Sequence, residues 1–207
     1  MNNHPRNCGR CGNVCPSGIC YRGRCYEPSA EPDVCIPGEA FRNGRFLNGS
    51  SDGWRADPNP STKQPDFNVQ FGAPDASTRD GYVALMTPVR DTVSYVGELV
   101  SEVRLCPGTS YDFRVLARLP RAAFWSHCAF QAVFGNRIVS LSALPAESAD
   151  NGLAYGVSLA PYQAGEAGTY TTNKVYLGAE FRLRVICLNR IMNFGSVSLW
   201  GFSMYPA

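Results

Sequence analysis

Residues able to perform acid–base or nucleophilic chemistry are scarce in this sequence of 207 residues. The chain has two histidines, His4 and His127, and a Ser-His-Asp triad would have to use His127. Nothing around His127 resembles a nucleophile elbow or another triad context, so we interpret it as a polar loop residue beside the start of a strand. We therefore expect no catalytic residue and no hydrolase activity from this chain.

Paired carboxylates would be the other route to catalysis, because most glycosidases use two of them. The candidates are Glu98 with Glu102, Asp112, Asp150 and Glu180. Glu98 and Glu102 share one phase of a predicted strand, which separates their side chains by ~13 Å along it. Glycosidases place the two groups ~5 to 9.5 Å apart. We therefore interpret Glu98 and Glu102 as solvated strand positions.

Five of the nine cysteines lie in a short N-terminal segment that has few core-forming side chains. They are Cys8, Cys11, Cys15, Cys20 and Cys25. Such a segment cannot fold by burial alone and needs covalent links. Disulfides are favoured over zinc, because a second ligand pair is missing and the nearest histidine is His4. Since five is an odd number, at least one of these cysteines has a partner outside the segment or has lost it upstream.

Composition and charge exclude several classes of protein. Hydrophobic residues make up 44% of the chain, which indicates a globular protein, and 20 Gly with 15 Pro suit an all-β fold with many turns. The net charge of +2 gives no reason to expect a nucleic-acid partner. No apolar run approaches the ~20 residues of a membrane span.

The number of cysteines predicts an oxidising compartment and hence a secreted, extracellular protein. The first residues contain no apolar stretch typical of a signal peptide, so we interpret the sequence as a mature or truncated form. Asn48-Gly49-Ser50 is a sequon for N-glycosylation in a turn-like segment, which agrees with secretion. No cofactor is indicated.

Three runs of alternating apolar and polar residues predict strands with one buried face. Their apolar phases contain Tyr111, Phe113, Val115, Ala117 and Leu119, then Cys128, Phe130, Ala132 and Phe134, then Phe181, Leu183, Val185 and Cys187. Further strands are predicted at 67–71, 82–87, 93–104, 137–144, 153–160 and 168–172, and 141–149 contains a possible helical turn. The predicted fold class is therefore all-β, a jelly-roll sandwich. This sandwich is expected to occupy residues 34–207, and a disulfide-rich module over residues 1–33 precedes it.

The apolar phase of two predicted strands also suggests a disulfide. Cys128 opens one strand and Cys187 closes another, so the pair can form between antiparallel neighbours of one sheet or across the two sheets. Cys35 and Cys106 then remain in the large domain, and we pair them with each other. The N-terminal cysteines would form two bridges and leave one orphan.

The cysteine-rich segment NCGRCGNVCPSGICYRGRC resembles a motif found at the N-termini of many secreted ascomycete proteins, in which further cysteines lie upstream. It lacks the adjacent Cys-Cys pair of hevein-type modules, so chitin binding is not inferred. Residues 35–207 resemble CenC-type carbohydrate-binding modules. The matching first-strand residues are Asn43, Gly44, Phe46, Gly49 and Trp54, and LCPGTSYDFRVLARL, CAFQAVFGN, FRLRVICL and GSVSLWGFSM resemble later strands.

This second resemblance implies a jelly roll that binds glycans. It also implies a structural Ca2+, but Leu47 and Trp200-Gly201 stand where the family has its carboxylates, so no metal site is expected. Asp52 and Asp57 would be the only substitutes. Trp54 is expected to be structural.

Sugar binding in such folds uses stacked aromatic rings and planar polar groups. The candidate ligand-binding residues are Trp125, Gln131, Tyr155, Tyr162, Arg182 and Arg184, with Tyr170 and Tyr176 near them in sequence. Trp125 is expected to be at least partly exposed. Solvated strand arginines are the alternative interpretation of Arg182 and Arg184.

Our first hypothesis is a secreted, non-catalytic carbohydrate-binding-like protein whose partner is a cell-wall polysaccharide. A structural or interaction protein is the alternative: it would keep the sandwich without binding sugar and would self-associate or contact a protein partner. A third possibility is an accessory module of a glycoside hydrolase.

Overall fold

The strands of this protein form two large antiparallel sheets. The computed structural model describes residues 14, 20–21, 24–25, 38–78, 81–89, 92–119, 127–149, 152–161, 163, 170–171, 177–188 and 195–207. The strands are β1 (Cys20–Tyr21), β2 (Arg24–Cys25), β3 (Trp54–Asp57), β4 (Phe67–Pro74), β5 (Tyr82–Pro88), β6 (Ser94–Leu105), β7 (Tyr111–Arg118), β8 (His127–Phe134), β9 (Arg137–Ser140), β10 (Ser142–Ala149), β11 (Gly152–Leu159), β12 (Tyr170–Thr171), β13 (Leu177–Leu188) and β14 (Val197–Pro206).

The first sheet has the strand order β10-β11-β7-β14-β5-β4, and the second has the order β3-β6-β13-β8-β9, with β12 added beside β13. Strands β1 and β2 pair with each other in a two-stranded sheet. The predicted all-β, jelly-roll sandwich is therefore confirmed. The predicted domain boundary near residue 33 lies outside the described residues.

The core lies between the two sheets and is built by the inward phase of each strand. On β13, Phe181, Leu183, Val185 and Cys187 are fully buried, as their alternation predicted. Phe113 and Val115 of β7 meet them from the first sheet. Since side chains alternate between faces of a strand, the intervening residues of β13 must all point to the outer surface.

The 141–149 segment is not helical, so the predicted helical turn is wrong. Ser142–Ala149 forms strand β10 and pairs antiparallel with β11, with Ala143 opposite Tyr155. Pairing with a neighbouring strand supplies the backbone hydrogen bonds that a single helical turn would leave largely unmade. Within the described residues, no helix is long and apolar enough to cross a membrane.

The segment before β3 and the first residue of that strand pack aromatic rings into the core. Phe46, in the left-handed region with φ 50°, and Trp54 are buried against Phe202 of β14. The indole N–H of Trp54 donates to the carbonyl of Asn43 at 2.9 Å. A Cβ on Gly44 would overlap the carbonyl oxygen of Phe202, so only glycine allows this approach. Trp54 is a structural residue, as predicted.

The Cys128–Cys187 disulfide is present and joins neighbouring strands of one sheet. The two residues are directly opposite in the register of β8 and β13, with Cα atoms 4.1 Å apart. Between the two predicted arrangements, the structure therefore selects the pair within a single sheet. Cys106 is also disulfide-bonded, whereas Cys35 lies outside the described residues, so the Cys35–Cys106 pairing stays a prediction.

The N-terminal bridges also stay predictions. Cys8, Cys11 and Cys15 lie outside the described residues, and only the backbone of Cys20 and Cys25 is described. These two residues are opposite each other in the β1–β2 pair.

Replacing both Cys128 and Cys187 by alanine should lower the free energy of unfolding by about 4 kcal/mol, because the bridge closes a loop with a sequence separation of 59 residues. Chemical denaturation monitored by circular dichroism measures the change. A loss below about 1 kcal/mol would show that the register alone holds β8 and β13 together.

A partly buried carboxylate attaches the N-terminal part of the sandwich to its last strand. Glu39 Oε1 accepts the backbone N–H of Met204 at 2.8 Å and that of Phe41 at 3.3 Å. Ala40 donates to the carbonyl of Met204 and accepts from Arg104 of β6, so this segment joins the two sheets. Burial raises the pKa of Glu39 from 4.5 to about 7, although the two N–H donors favour the ionised form.

Stability should therefore fall as the pH rises from about 4.5 to about 7, because the folded protein holds the Glu39 proton more tightly than the unfolded chain. Glu39→Gln keeps an oxygen acceptor without a charge, so the variant should lose this slope, which is at most about 1.4 kcal/mol per pH unit. Denaturation midpoints between pH 4 and pH 8 test this. An unchanged slope in Glu39→Gln would assign the pH dependence to other groups.

Candidate functional site

The outer face of the second sheet presents a row of polar side chains that crosses five strands. Asp57 of β3, Glu98 of β6, Arg184 of β13, Gln131 of β8 and Ser140 of β9 are directly opposite one another in register. We call these five residues the polar row. Neighbouring strands lie ~4.8 Å apart, so the row is ~19 Å long.

A second row runs beside it and combines charged with aliphatic side chains. It consists of Arg55, Val100, Arg182, Val133 and Ile138 on the same five strands, and we call it the mixed row. Val100 and Val133 are buried although they belong to an outer face, whereas Ile138 is 50% exposed. The face is therefore charged over β3, β6 and β13 and largely uncharged over β8 and β9.

Glu98 is the centre of the charged part. Its side chain is only 3% exposed, and its two oxygens accept hydrogen bonds from Arg184 Nε at 2.7 Å and from Arg182 Nη1 at 2.8 Å. A buried carboxylate requires such partners, because an unpaired charge would lose its hydration without compensation. Glu98 thereby holds both guanidinium groups in place.

Arg182 is surrounded by carboxylates. Its Nη1 also lies 2.7 Å from Asp57 Oδ2, and its Nη2 lies 2.5 Å from Glu180 Oε1. Arg55 hydrogen-bonds Glu180 and Asp57 in turn. Burial alone would raise the pKa of Glu180, but the hydrogen bonds from Arg55 and Arg182 hold it below its ordinary value.

The interpretation of Glu98 as a solvated residue is wrong, since the register places it directly opposite Arg184 and diagonal to Arg182 of the next strand. Glu102, four residues later in the same phase, is exposed as predicted. The alternation of β6 shows which side of the sheet each glutamate occupies. It does not show which of them has arginine neighbours, because that depends on a strand about 80 residues away in sequence.

Arg184 retains hydrogen-bonding capacity. Its Nε donates to Glu98, while in the described part of the chain its two terminal nitrogens have no hydrogen-bond partner. Gln131 stands opposite it with an amide that both donates and accepts. None of the side chains described on this outer face is aromatic. The arrangement is thus suited to hydrogen bonding more than to ring stacking.

The structure brings together three of the residues predicted to bind ligand, namely Gln131, Arg182 and Arg184. Tyr155 points instead to the inside of the sandwich, where its ring contacts that of Phe130 with centroids 4.6 Å apart. Trp125, Tyr162 and Tyr176 lie outside the described residues, and of Tyr170 only its place in β12 is described. Asn48 is exposed in a short 3-10 segment, Leu47–Gly49.

Sequence reasoning missed the part that the acidic residues and Arg55 play in this site. Asp57, expected only as a substitute metal ligand, contacts Arg55 and Arg182. Asp52, the other substitute ligand, contacts Arg42 at 3.3 Å. Among the described residues there is no group of three or more side chains able to hold a metal ion.

Comparison with known proteins identifies the fold. No family profile and no curated protein matches the sequence. Among solved structures, the chain is similar to carbohydrate-binding module CBM27-1 of Caldicellulosiruptor saccharolyticus, solved with mannohexaose: the TM-score is 0.50, the identity 9%, and the match covers 83% of this chain and 97% of the module. A CBM61 module solved with β-1,4-galactotriose has a TM-score of 0.47 and 12% identity. This match covers 82% of this chain and 99% of the module.

An arabinose-bound GH51 α-L-arabinofuranosidase has a TM-score of 0.52 and 11% identity over 84% of this chain. The chain spans only 27% of the length of that enzyme. At these identities, the likeness concerns the fold alone, which is the β-sandwich of carbohydrate-binding modules.

Glu98→Ala should lower the free energy of unfolding by about 2–3 kcal/mol, because it leaves two partly buried guanidinium groups short of a partner. Glu102→Ala is the matched control on the same strand and face, and its effect should stay within about 0.5 kcal/mol. Urea denaturation of both variants measures the difference. Equal effects would show that the network around Glu98 does not stabilise the sheet.

Proposed function

We propose that this chain is a secreted, non-catalytic carbohydrate-binding protein that binds a cell-wall polysaccharide along the polar row. The observation that supports this proposal best is the continuity of the row, which places hydrogen-bonding side chains on five adjacent strands. Its length of ~19 Å suits several sugar units of an extended chain. The carbohydrate-binding-module fold supports the proposal as well, although a fold does not determine a ligand.

The chemistry of the row matches sugar hydroxyls, which both donate and accept hydrogen bonds. Arg184 offers donors through its terminal nitrogens, Gln131 offers a donor and an acceptor, and Asp57 offers acceptor oxygens. Because Glu98 already holds Arg184, little side-chain entropy is lost when a ligand binds. The face is therefore organised before binding.

The charges of the site favour an uncharged polysaccharide over a polymer of uronic acids. Three guanidinium groups of Arg55, Arg182 and Arg184 are matched by the three carboxylates of Asp57, Glu98 and Glu180. Such a balanced network attracts an anionic polymer only weakly, and binding should depend little on salt concentration.

One observation favours the alternative function, a structural or interaction protein. The described side chains on the outer face of the second sheet include no aromatic ring. At the β8–β9 side of this face, the aliphatic side chain of Ile138 is exposed. Protein partners bind such mixed surfaces without ring stacking. Self-association through this face would be seen as a dimer by analytical ultracentrifugation, with no retention on any polysaccharide.

Arg184→Ala and Gln131→Ala should each weaken polysaccharide binding about five- to thirtyfold, corresponding to the loss of ~1–2 kcal/mol of hydrogen bonding. Affinity electrophoresis in gels containing soluble glucans, mannans or xylans measures the change. Arg114→Ala is the matched control, because Arg114 lies on the outer face of the first sheet.

If the control weakens binding as much as Arg184→Ala, the polar row is not the binding site. If the wild-type protein is not retained by any of these polysaccharides, the carbohydrate-binding function is overturned in favour of the alternative. Release of reducing sugars that a point mutation abolishes would contradict the non-catalytic assignment.

A further inference from the structure

A short surface turn before β3 contains Asn48, the acceptor position of the sequon Asn48-Gly49-Ser50. No other Asn-x-Ser/Thr tripeptide without proline at its middle position occurs in the 207 residues. The structure places Asn48 in the 3-10 segment Leu47–Gly49, where its side chain is exposed. Its backbone has φ 57° and ψ 26°, in the left-handed region that asparagine enters more readily than most residues.

The turn is held by Asn43 and by its own backbone, without the side chain of Asn48. Asn43 Oδ1 accepts the N–H of Leu47 at 3.1 Å, and Asn43 Nδ2 donates to the carbonyl of Ser50 at 2.9 Å. The N–H of Ser50 also donates to the carbonyl of Leu47 at 3.1 Å. In the described part of the chain, the amide of Asn48 has no hydrogen-bond partner. A substituent on this amide therefore removes no contact that shapes the turn.

The turn lies against the edge of the first sheet. Gly49 approaches β4 so closely that a Cβ on Gly72 would lie 2.1 Å from the carbonyl oxygen of Gly49. A Cβ on Gly49 would in turn lie 3.3 Å from the ring of Tyr82, at the start of β5. Because Asn48 directly precedes Gly49, a group attached to Asn48 begins beside β4.

β4 is the last strand of its sheet, and no described strand pairs with its outer side. Such an edge offers unpaired backbone groups to another molecule, and proteins block it with charges, prolines, bulges or a covering group. The sequence of β4, FNVQFGAP, has no charged residue, and its bulge between Gln70 and Ala73 and its final Pro74 interrupt only one end. The regular part, Phe67–Gln70, lies within ~17 Å of Gly72, a distance that an oligosaccharide of several sugar units spans.

We propose that Asn48 carries an N-linked glycan, and that this bulky group covers the edge of β4 against pairing with a second copy of the chain. The proposal rests on the secretion that is part of the proposed function, and it is independent of polysaccharide binding. In the modification, the amide nitrogen of Asn48 releases a proton to water and forms a bond to the anomeric carbon of an oligosaccharide. The bond from that carbon to the diphosphate of a lipid-linked donor breaks, and the lipid diphosphate leaves with the electron pair.

Position 50 provides matched variants for the modification, because both leave Asn48 in place. Ser50→Thr keeps the hydroxyl that the sequon requires, and Ser50→Ala removes it. Each form is secreted from a eukaryotic host behind a signal peptide, and mass spectrometry with peptide N-glycosidase maps the glycan. We expect a glycan on Asn48 in the wild-type protein and in Ser50→Thr, and none in Ser50→Ala. A secreted wild-type protein without a glycan on Asn48 overturns the proposal.

The folding of Ser50→Ala is checked by circular dichroism. The substitution removes the hydroxyl that accepts the N–H of Asp52 at 3.1 Å, and this bond is exposed, so the spectrum should match that of the wild-type protein.

Sedimentation velocity tests the effect of the glycan on β4. The glycosylated protein should sediment as a monomer, whereas Ser50→Ala at the same concentration should form a dimer of twice the protein mass. Hydrogen exchange then locates the contact between the two copies. The amides of Phe67–Gln70 should exchange more slowly in the dimer than in the glycosylated monomer, because pairing of two β4 edges protects them.

A relocated glycan is the control. Ile138→Thr creates a sequon at the exposed Asn136, in the turn between β8 and β9 of the other sheet. Combined with Ser50→Ala, and once mass spectrometry shows the glycan on Asn136, it adds the same bulk away from β4, so this double variant should still form dimers. A monomeric double variant, or an unglycosylated Ser50→Ala protein that stays monomeric, would show that the glycan on Asn48 does not act by covering β4.

Discussion

The register of β13 against its two neighbours is the constraint on which the rest of the second sheet depends. β13 pairs with β6 over its whole length, from Leu177 opposite Leu105 to Leu188 opposite Ser94, and with β8 on its other side. A slip by one residue would turn the apolar phase of the strand outward and the arginines into the core. The Cys128–Cys187 bridge fixes this register covalently at one end.

The same register assembles the charged face. Because Phe181 and Leu183 point inward, Arg182 and Arg184 point outward, and both bond Glu98 of the neighbouring strand β6, Arg184 from directly opposite and Arg182 from the diagonal position. The packing of the core and the pairing of these charges are two results of one alignment. A slip by one residue would also separate Glu98 from both guanidinium groups, because it would turn the arginines to the inner face.

Arginine–carboxylate pairs occur on both outer faces of the sandwich but have different surroundings on each. On the second sheet, Arg184 of the polar row and Arg182 of the mixed row are held by carboxylates. On the first sheet, Arg118 bonds Asp75 and lies over the ring of Trp200, so that the apolar surface is covered. In both places the guanidinium group is planar and fixed by an acceptor, which makes it a defined hydrogen-bonding or stacking surface.

Local alternation in the sequence determined the strands and the inward phase of each, because it follows from the geometry of single strands. It therefore predicted the all-β sandwich, the buried Phe181 and Leu183, and the bond between Cys128 and Cys187. It also predicted that Arg182 and Arg184 lie on one face with Gln131. The tertiary structure decided which strands are neighbours. The neighbours in turn determined which polar residues are buried and which charges are paired.

Glu98 lies directly opposite Arg184 and is buried, whereas Glu102 lies opposite Glu180 and is exposed; Tyr155 points to the core in its place opposite Val115. Trp200 is covered because Arg118 lies diagonally across two paired strands. Charge pairing and burial depend on contacts between residues far apart in the chain, and a periodic pattern in one strand contains no information about them.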